Sequence, residues 1–179
     1  MSLDINKEFQ NVLIRLSPVF MGIKPGELLN IKWGNNLERC YHFFRDSQIK
    51  HIEIKDFPNL ERRQLFFYHR ECLAQTLQVK ANQNFLRQIG YPLDFQLASY
   101  LEILTSRLRS DAFPHEIGVF LGYPLKDVLG YMGILPLKLV KIKGWKYYGS
   151  EKLSAIQYKR YVKARDIFRV FLDTFQNQG

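Results

Sequence analysis

Residues 112–128 read AFPHEIGVFLGYPLKDV, and this stretch constrains the backbone more strongly than any other part of the chain. It places two prolines, two glycines and one histidine in a short apolar run. Proline fixes φ, whereas glycine permits backbone conformations that other residues avoid. We therefore predict two short helices, over residues 115–121 and 125–132, which are broken at Gly122-Tyr123-Pro124.

The sequence on either side of this stretch predicts a hairpin and two longer helices. Downstream, strands over 137–142 and 145–148 flank Lys143-Gly144, and an amphipathic helix follows over 151–175. Upstream, leucines spaced at i, i+4, i+7 and i+11 predict a core helix over 94–109. Asp94 is expected to cap its N-terminus.

The N-terminal half predicts helices and strands in alternation. Helical patterns occupy residues 4–16, 37–44, 70–79 and 82–89, and Ser17-Pro18 is expected to stop the first helix. Strand patterns occupy residues 27–33, 49–55 and 64–69. The order strand, helix, strand, strand indicates a small mixed sheet. We therefore predict one α+β domain over 1–179, with a small mixed sheet, a C-terminal β-hairpin and about six helices.

Composition limits the class of protein. The chain has 179 residues, 46% of them hydrophobic, which is enough to build a core. No apolar run approaches the ~20 residues that span a bilayer, and the N-terminus lacks a secretory signal, so we predict a cytoplasmic protein without a membrane partner. Cys40 and Cys72 lie in no CxxC or Cys/His cluster, so we expect free thiols and no metal site.

Three segments together resemble a known family. They are the motif FPHEIGxFLGYPxxDV within residues 112–128, GIKP at residues 22–25 and GWKYYG at residues 144–149. In this order they resemble the domain of unknown function 3793 family of uncharacterised bacterial proteins, and the resemblance covers most of the chain. It implies no settled activity. It does imply an acidic protein partner, such as the redox protein flavodoxin, because flavodoxin genes often lie near those of the family.

The chain departs from that family in its cysteines. Many relatives carry a cysteine just before the Lys24-Pro25 region, others near the Gly-Trp pair and one late in the last helix. The corresponding segments here, residues 17–18, 139–143 and 162–164, contain none. If thiols serve a metal or redox role in relatives, we expect this chain to lack it.

Positive charge is concentrated in one quarter of the sequence. Residues 138–169 carry ten Lys and Arg against two Asp and Glu, a net charge of +8 out of +9 for the whole chain. Such a field attracts polyanions, acidic protein surfaces or phosphorylated small molecules, although it is also typical of a solvated face. The candidate polyanion-binding residues are Lys138, Lys141, Lys143, Lys159, Arg160, Lys163 and Arg165.

Nucleic-acid binding is one reading of that charge. Two short helices, a basic hairpin and a basic helix imitate a winged helix-turn-helix. The second short helix, however, offers only Lys126 to base edges. We therefore expect any nucleic-acid contact to be weak, nonspecific and dominated by phosphates.

His115 and Glu116 are the candidate catalytic residues. Histidine is the usual general acid or base at neutral pH, and a carboxylate follows it directly. A structural role is the alternative, because Pro114 suits a first helical turn and Glu116 suits the positive end of a helix dipole. No HExxH spacing surrounds His115, which argues against a metal.

A ligand-binding surface is the leading hypothesis. Pro25 restricts the backbone of Lys24, and aromatic residues alternate with Lys146 on the second hairpin strand. We predict that the 112–128 segment and the hairpin form one concavity for a small anionic or planar ligand, or for an acidic protein partner. An enzyme using His115 and a nonspecific nucleic-acid-binding protein are the alternatives, and the sequence names no cofactor. The candidate ligand-binding residues are Lys24, His115, Tyr123, Trp145, Lys146 and Tyr148.

Overall fold

The computed structural model describes residues 7–45 and 47–176, without the side chains at positions 35, 175 and 176. Residues 4–6, at the start of the first predicted helix, lie outside this range. The described residues contain eight α-helices rather than about six: α1 (Lys7–Phe20), α2 (Asn35–Phe44), α3 (Arg70–Gln78), α4 (Lys80–Gln88), α5 (Leu97–Arg109), α6 (Ile117–Phe120), α7 (Leu125–Tyr131) and α8 (Lys152–Gln176). The strands are β1 (Gly26–Lys32), β2 (Ile49–Phe57), β3 (Arg62–His69), β4 (Leu139–Lys143) and β5 (Trp145–Tyr148).

The α+β architecture is confirmed, but the three-stranded sheet is antiparallel throughout rather than mixed. Its strand order is β1-β3-β2, and β3 runs antiparallel to both neighbours. A short 3₁₀ turn, Pro58–Leu60, joins β2 to β3 as a hairpin. Because β3 lies between β1 and β2, the two strands that run in the same direction never pair with each other.

Each face of this sheet buries its own layer of side chains. Leu65 and Phe67 of β3 point to one face, where they pack with α1, α2 and the end of α8. Phe66 points to the other face and packs with α3, α5, α6 and α7. The alternation follows from the two-residue repeat of a strand. The sheet is therefore the middle of three layers, and both apolar layers depend on it.

Helix α1 continues through Pro18, where the sequence pattern predicts a stop. Pro18 has no N–H to donate to the carbonyl of Ile14, and the Ser17 hydroxyl donates to that oxygen instead, at 2.8 Å. The Pro18 carbonyl in turn accepts the N–H groups of Ile23 and Lys24, at 2.9 Å each. The proline thus shapes the turn that leads into β1.

Helix α5 begins at Leu97, three residues after the predicted cap at Asp94. Gln96 occupies the N-cap position and makes no capping bond with its side chain. The Tyr100 hydroxyl donates to the carbonyl of Pro92 at 3.0 Å, so the preceding loop is held against the first turn of the helix. This bond fixes the loop before the helix, although it does not cap the free N–H groups of the first turn.

Gly122, between α6 and α7, packs tightly against α8 and against Pro25. Its φ is 75°, and its carbonyl accepts the Tyr161 hydroxyl of α8 at 2.8 Å. A Cβ at this position would lie 2.3 Å from that hydroxyl and 2.6 Å from Cδ of Pro25. Only glycine fits both the conformation and the space.

Substitution of Gly122 by alanine should destabilise the fold more than the same change at Gly133. Gly133 has a similar φ of 71°, but its Cβ would meet nothing within 4 Å. Backbone strain alone should lower the free energy of unfolding of Gly133→Ala by about 1–2 kcal/mol. The clashes in Gly122→Ala should cost a further 1–3 kcal/mol, roughly. Urea unfolding followed by circular dichroism measures both, and equal losses would contradict the close packing.

Candidate functional site

A cavity of about 300 Å³ lies between the 112–128 segment and the hairpin, and we call it the His115 cavity. Four of the six predicted ligand-binding residues line it, which brings the segment and the hairpin together around one concavity. The lining residues are Phe113, His115, Ile117, Gly118, Leu121, Tyr123, Asp127, Val128, Tyr131, Trp145 and Lys146.

The rim of the cavity combines an aromatic ring with two basic side chains. The His115 ring meets Tyr131 edge to face, with 4.9 Å between ring centroids. Lys146 places its Nζ 5.0 Å from the centroid of the same Tyr131 ring. All three residues are exposed. An entering molecule would therefore meet an imidazole, an ammonium group and one aromatic ring close together.

The inner wall is built around Trp145. Its indole stacks on Tyr123 with a centroid distance of 4.6 Å and an angle of 15° between the planes. The rings of Tyr158 and Tyr161 from α8 pack against the same indole, at 6.1 and 6.2 Å. The indole is thus fixed by aromatic neighbours from two elements, which pre-shapes the wall.

Asp127 anchors this wall. The residue is 2% exposed and lies on α7. Its carboxylate accepts hydrogen bonds from the indole Nε1 of Trp145 at 2.8 Å, from the hydroxyl of Ser154 at 2.6 Å and from the backbone N–H of Tyr148 at 2.8 Å. One side chain therefore joins α7, β5 and α8. Sequence reasoning missed this role, although Asp127 is part of the motif that characterises the segment.

Lys126 supplies the charge that balances Asp127. Its Nζ donates to Asp127 at 2.5 Å, and also to the carbonyl of Tyr148 and the hydroxyl of Ser154 at 2.8 Å each. The only lysine of the second short helix is thus committed to internal contacts. While it makes these contacts, Lys126 cannot bind base edges. The helix that would be the recognition helix of a winged helix-turn-helix therefore has no lysine available for DNA.

Lys24 and Tyr148, the other two predicted ligand-binding residues, do not line the cavity. Lys24 is 3% exposed and forms an ion pair with Glu27, which Arg15 also contacts at 3.4 Å. Its Nζ lies 5.7 Å from the ring centroid of Tyr123. Burial lowers the pKa of Lys24, while the Glu27 carboxylate opposes that shift. Lys24 thus supports the cavity wall from behind.

Tyr148 faces α7 instead of the cavity. Its Cβ packs against Gly130 of α7. A Cβ built on Gly130 would lie only 2.6 Å from the Tyr148 Cβ, so a larger residue would not fit there. The contribution of Tyr148 to the site is therefore made by its backbone, whose N–H and carbonyl bond Asp127 and Lys126.

Glu116 points away from His115 and the cavity. Its buried carboxylate accepts hydrogen bonds from Arg107 at 2.5 Å and from the hydroxyl of Tyr91 at 3.3 Å. Burial, with the nearby Glu116 charge, raises the pKa of Tyr91. The structure thus places the two candidate catalytic residues in different surroundings, and only His115 reaches the cavity.

The predicted polyanion-binding residues are divided among several surfaces. Three of them line one groove of about 290 Å³ that also contains Asp166: Lys143, Lys159 and Lys163. Lys141 pairs with Glu151 at 3.0 Å, and Lys138 is exposed beside the hairpin.

The last two of these residues, Arg160 and Arg165, lie apart from that groove. Arg160 lines a separate cavity of about 360 Å³ and bonds Gln157. Arg165 is half-buried, and its charge contributes to lowering the pKa of Lys24.

The remaining features of the described residues are the cysteines, the possible metal ligands and the apolar helices. Cys40 is buried and Cys72 half-buried, and both are free thiols as expected. No group of three or more His, Cys, Asp or Glu side chains in the described part of the chain could hold a metal ion. No described helix combines the length and the apolar character that crossing a bilayer requires.

The fold and the cavity define an α+β protein with an apolar, aromatic cavity between a proline- and glycine-rich segment and a basic hairpin. The chain belongs to the family described as Protein of unknown function (DUF3793), whose profile matches residues 12–177. No curated protein and no solved structure matches the chain.

Replacing Asp127 should weaken the fold around the cavity more than replacing an exposed aspartate. Asp127→Asn leaves the Lys126 ammonium without its counter-charge and should lower the free energy of unfolding by about 3 kcal/mol. Asp166→Asn removes an exposed pair with Arg169, 2.9 Å apart, and should cost less than about 1 kcal/mol. Chemical denaturation of both variants provides the comparison. A loss at Asp127 no greater than that at Asp166 would refute the anchoring role.

Proposed function

We propose that this protein binds a small planar ligand with an anionic group in the His115 cavity. The observation that carries the proposal is the convergence of His115, Tyr131, Trp145 and Lys146 on one concavity of about 300 Å³. Convergent polar groups around an apolar cavity are the usual mark of a small-molecule site.

The interior of the cavity suits a flat, apolar group. Ile117, Leu121 and Val128 line it together with aromatic rings, and the Trp145 indole is held in place on Tyr123. A fixed ring loses little freedom when a second ring packs beside it. The volume lies at the small end of the range for ligand sites, so the proposed ligand is one small ring system rather than a dinucleotide.

The rim of the cavity suits a negative charge. Lys146 and His115 flank the opening through their contacts with Tyr131. Asp127 is the only carboxylate among the described lining residues, and its oxygens already accept bonds from Lys126, Trp145 and Ser154. A ligand anion would therefore meet donors at the rim and little uncompensated negative charge within.

Binding is favoured over catalysis by the position of Glu116. In an enzyme that uses histidine as general acid or base, a second group commonly orients the imidazole. Glu116 was the candidate for that role, and its carboxylate is bonded to Arg107 and Tyr91 instead. Catalysis by His115 and nonspecific binding of nucleic acid stay predictions.

A matched pair of probes tests the proposed function. Naphthalene-1-sulfonate is planar and anionic, whereas naphthalene-1-sulfonamide has nearly the same shape and no charge. In a Trp33→Phe background, Trp145 is the only tryptophan and gives a single indole N–H signal in NMR spectra. We expect the sulfonate to shift this signal saturably, and the sulfonamide to bind about tenfold more weakly because it lacks a charged hydrogen bond. No shift with either probe would contradict the proposal.

Removal of the Lys146 charge should weaken sulfonate binding more than the same change elsewhere on the hairpin. Lys146→Gln should reduce affinity about tenfold through loss of a charged contact at the rim. Lys138→Gln makes the same change of charge at an exposed residue outside the lining, and should alter affinity less than twofold or so, since screened surface charges contribute little. NMR titration of both variants decides whether the effect is local or a general property of the basic region.

Replacement of His115 should affect binding rather than stability. His115 is exposed, so His115→Gln should change the free energy of unfolding by no more than about 0.5 kcal/mol. The substitution removes the imidazole from the cavity lining and should weaken sulfonate binding about fivefold through loss of a polar contact. The same NMR titration measures this change. A large loss of stability with unchanged binding would assign His115 a structural role.

A further inference from the structure

Strand β4 presents an open edge on the surface. All five of its residues are exposed, and its only partner in the described residues is β5. Unpaired main-chain groups along such an edge are a ready template for another strand. This edge is separate from the His115 cavity, which has lining residues on β5 and none on β4.

The opposite edge of the hairpin is already occupied. The backbone N–H of Tyr148 donates to Asp127, and its carbonyl accepts from Lys126. Side chains of α7 thus occupy the outer edge of β5 at Tyr148. The hairpin is therefore anchored through β5, and β4 is its outer strand.

We propose that β4 receives an extended, acidic segment of a protein partner as an additional strand. In this mode main-chain hydrogen bonds supply affinity, and side chains on alternate positions supply specificity. The segment would carry Asp or Glu residues that alternate with aliphatic residues. The inference is independent of small-molecule binding, because it concerns a different surface.

The charge around β4 is complementary to an acidic strand. Lys141 and Lys143 belong to β4, and Lys138 directly precedes it. Glu151, which pairs with Lys141, is the only acidic residue between positions 138 and 165. Opposite charges on neighbouring strands stabilise their pairing, so acidic side chains fit here.

The apolar side chains of β4 favour a peptide over a nucleic acid. Val140 and Ile142 are both exposed, and Ile142 retains 69% of its accessible surface. A phosphate backbone would gain nothing from them, whereas aliphatic side chains of an added strand would cover them. Main-chain donors and acceptors along this edge have the spacing of a β-strand, which an extended peptide matches and a nucleic acid does not.

A second copy of this chain is a poor partner for the same edge. Lys141 is the central residue of β4, so antiparallel pairing of two copies about that centre would set Lys141 against its counterpart. Like charges directly opposite each other destabilise a pair of strands. Lysines on an edge strand commonly prevent such self-pairing.

A synthetic peptide tests the proposal on the full chain. The probe is an acetylated and amidated heptapeptide of sequence DVEVDVE, and its control carries N-methyl groups on the five interior amides. We expect the parent peptide to bind and to slow hydrogen exchange of the amides in residues 139–143. The methylated control keeps the charges but loses its five interior main-chain donors, so it should bind at least about tenfold more weakly. Absence of binding, or equal binding of both peptides, overturns the proposal.

Paired variants locate the binding surface. Ile142→Glu introduces repulsion and removes apolar cover at the edge, and should weaken peptide binding about tenfold. Leu60→Glu makes a closely similar change at a residue of 63% exposure in the turn of the other sheet, and should change binding less than about twofold. Equal effects at both sites overturn the assignment to β4.

Two further measurements distinguish other occupants of the edge. Sedimentation velocity should show a monomer. A dimer that dissociates in the Ile142→Glu variant would assign the edge to a second copy of the chain. An oligothymidylate should not protect the β4 amides more strongly than the peptide does. Stronger protection by the oligonucleotide would assign the edge to nucleic acid. Either result overturns the proposed peptide partner.

Discussion

The buried carboxylate of Asp127 is the interaction on which the C-terminal half of the structure depends. It gathers donors from α7, β5 and α8, and Lys126 beside it neutralises the charge. A two-stranded hairpin has little stability by itself in water. Here its second strand is fixed to a helix through both the backbone of Tyr148 and the indole of Trp145. The wall of the cavity and the free outer strand are both consequences of this attachment.

Much of the fold could be predicted because it depends on local patterns. The leucine stripe of α5, the alternation in β2, the aromatic run of β3 and the hairpin around Lys143-Gly144 are encoded within short windows of sequence. The approach of His115 to Trp145 was also predictable, since rigid turns and half-buried aromatics are concentrated in two segments that follow each other closely. These features need no knowledge of distant contacts.

The remaining features depend on contacts between residues far apart in sequence. The sheet is antiparallel because β3 enters between β1 and β2, which no local pattern specifies. Lys24 is buried since Glu27 and two tyrosine rings enclose it, whereas its position before Pro25 predicts a ligand-binding residue. Glu116 turns inward because Arg107 of α5 lies within reach. Buried polar groups are placed by their partners, and sequence spacing alone does not identify those partners.

The burial of Cys40 has a consequence for the chemical reactivity of this protein. The side chain is fully enclosed in the layer formed by α1, α2 and the sheet, and burial raises the pKa of its thiol to about 12. Burial also raises the pKa of Cys72. Because the thiolate is the reactive form, neither residue offers an efficient nucleophile at neutral pH. The rate at which an alkylating reagent modifies Cys40 therefore reports how often that layer opens transiently. The measurement needs no engineered label, because the native chain already contains this cysteine.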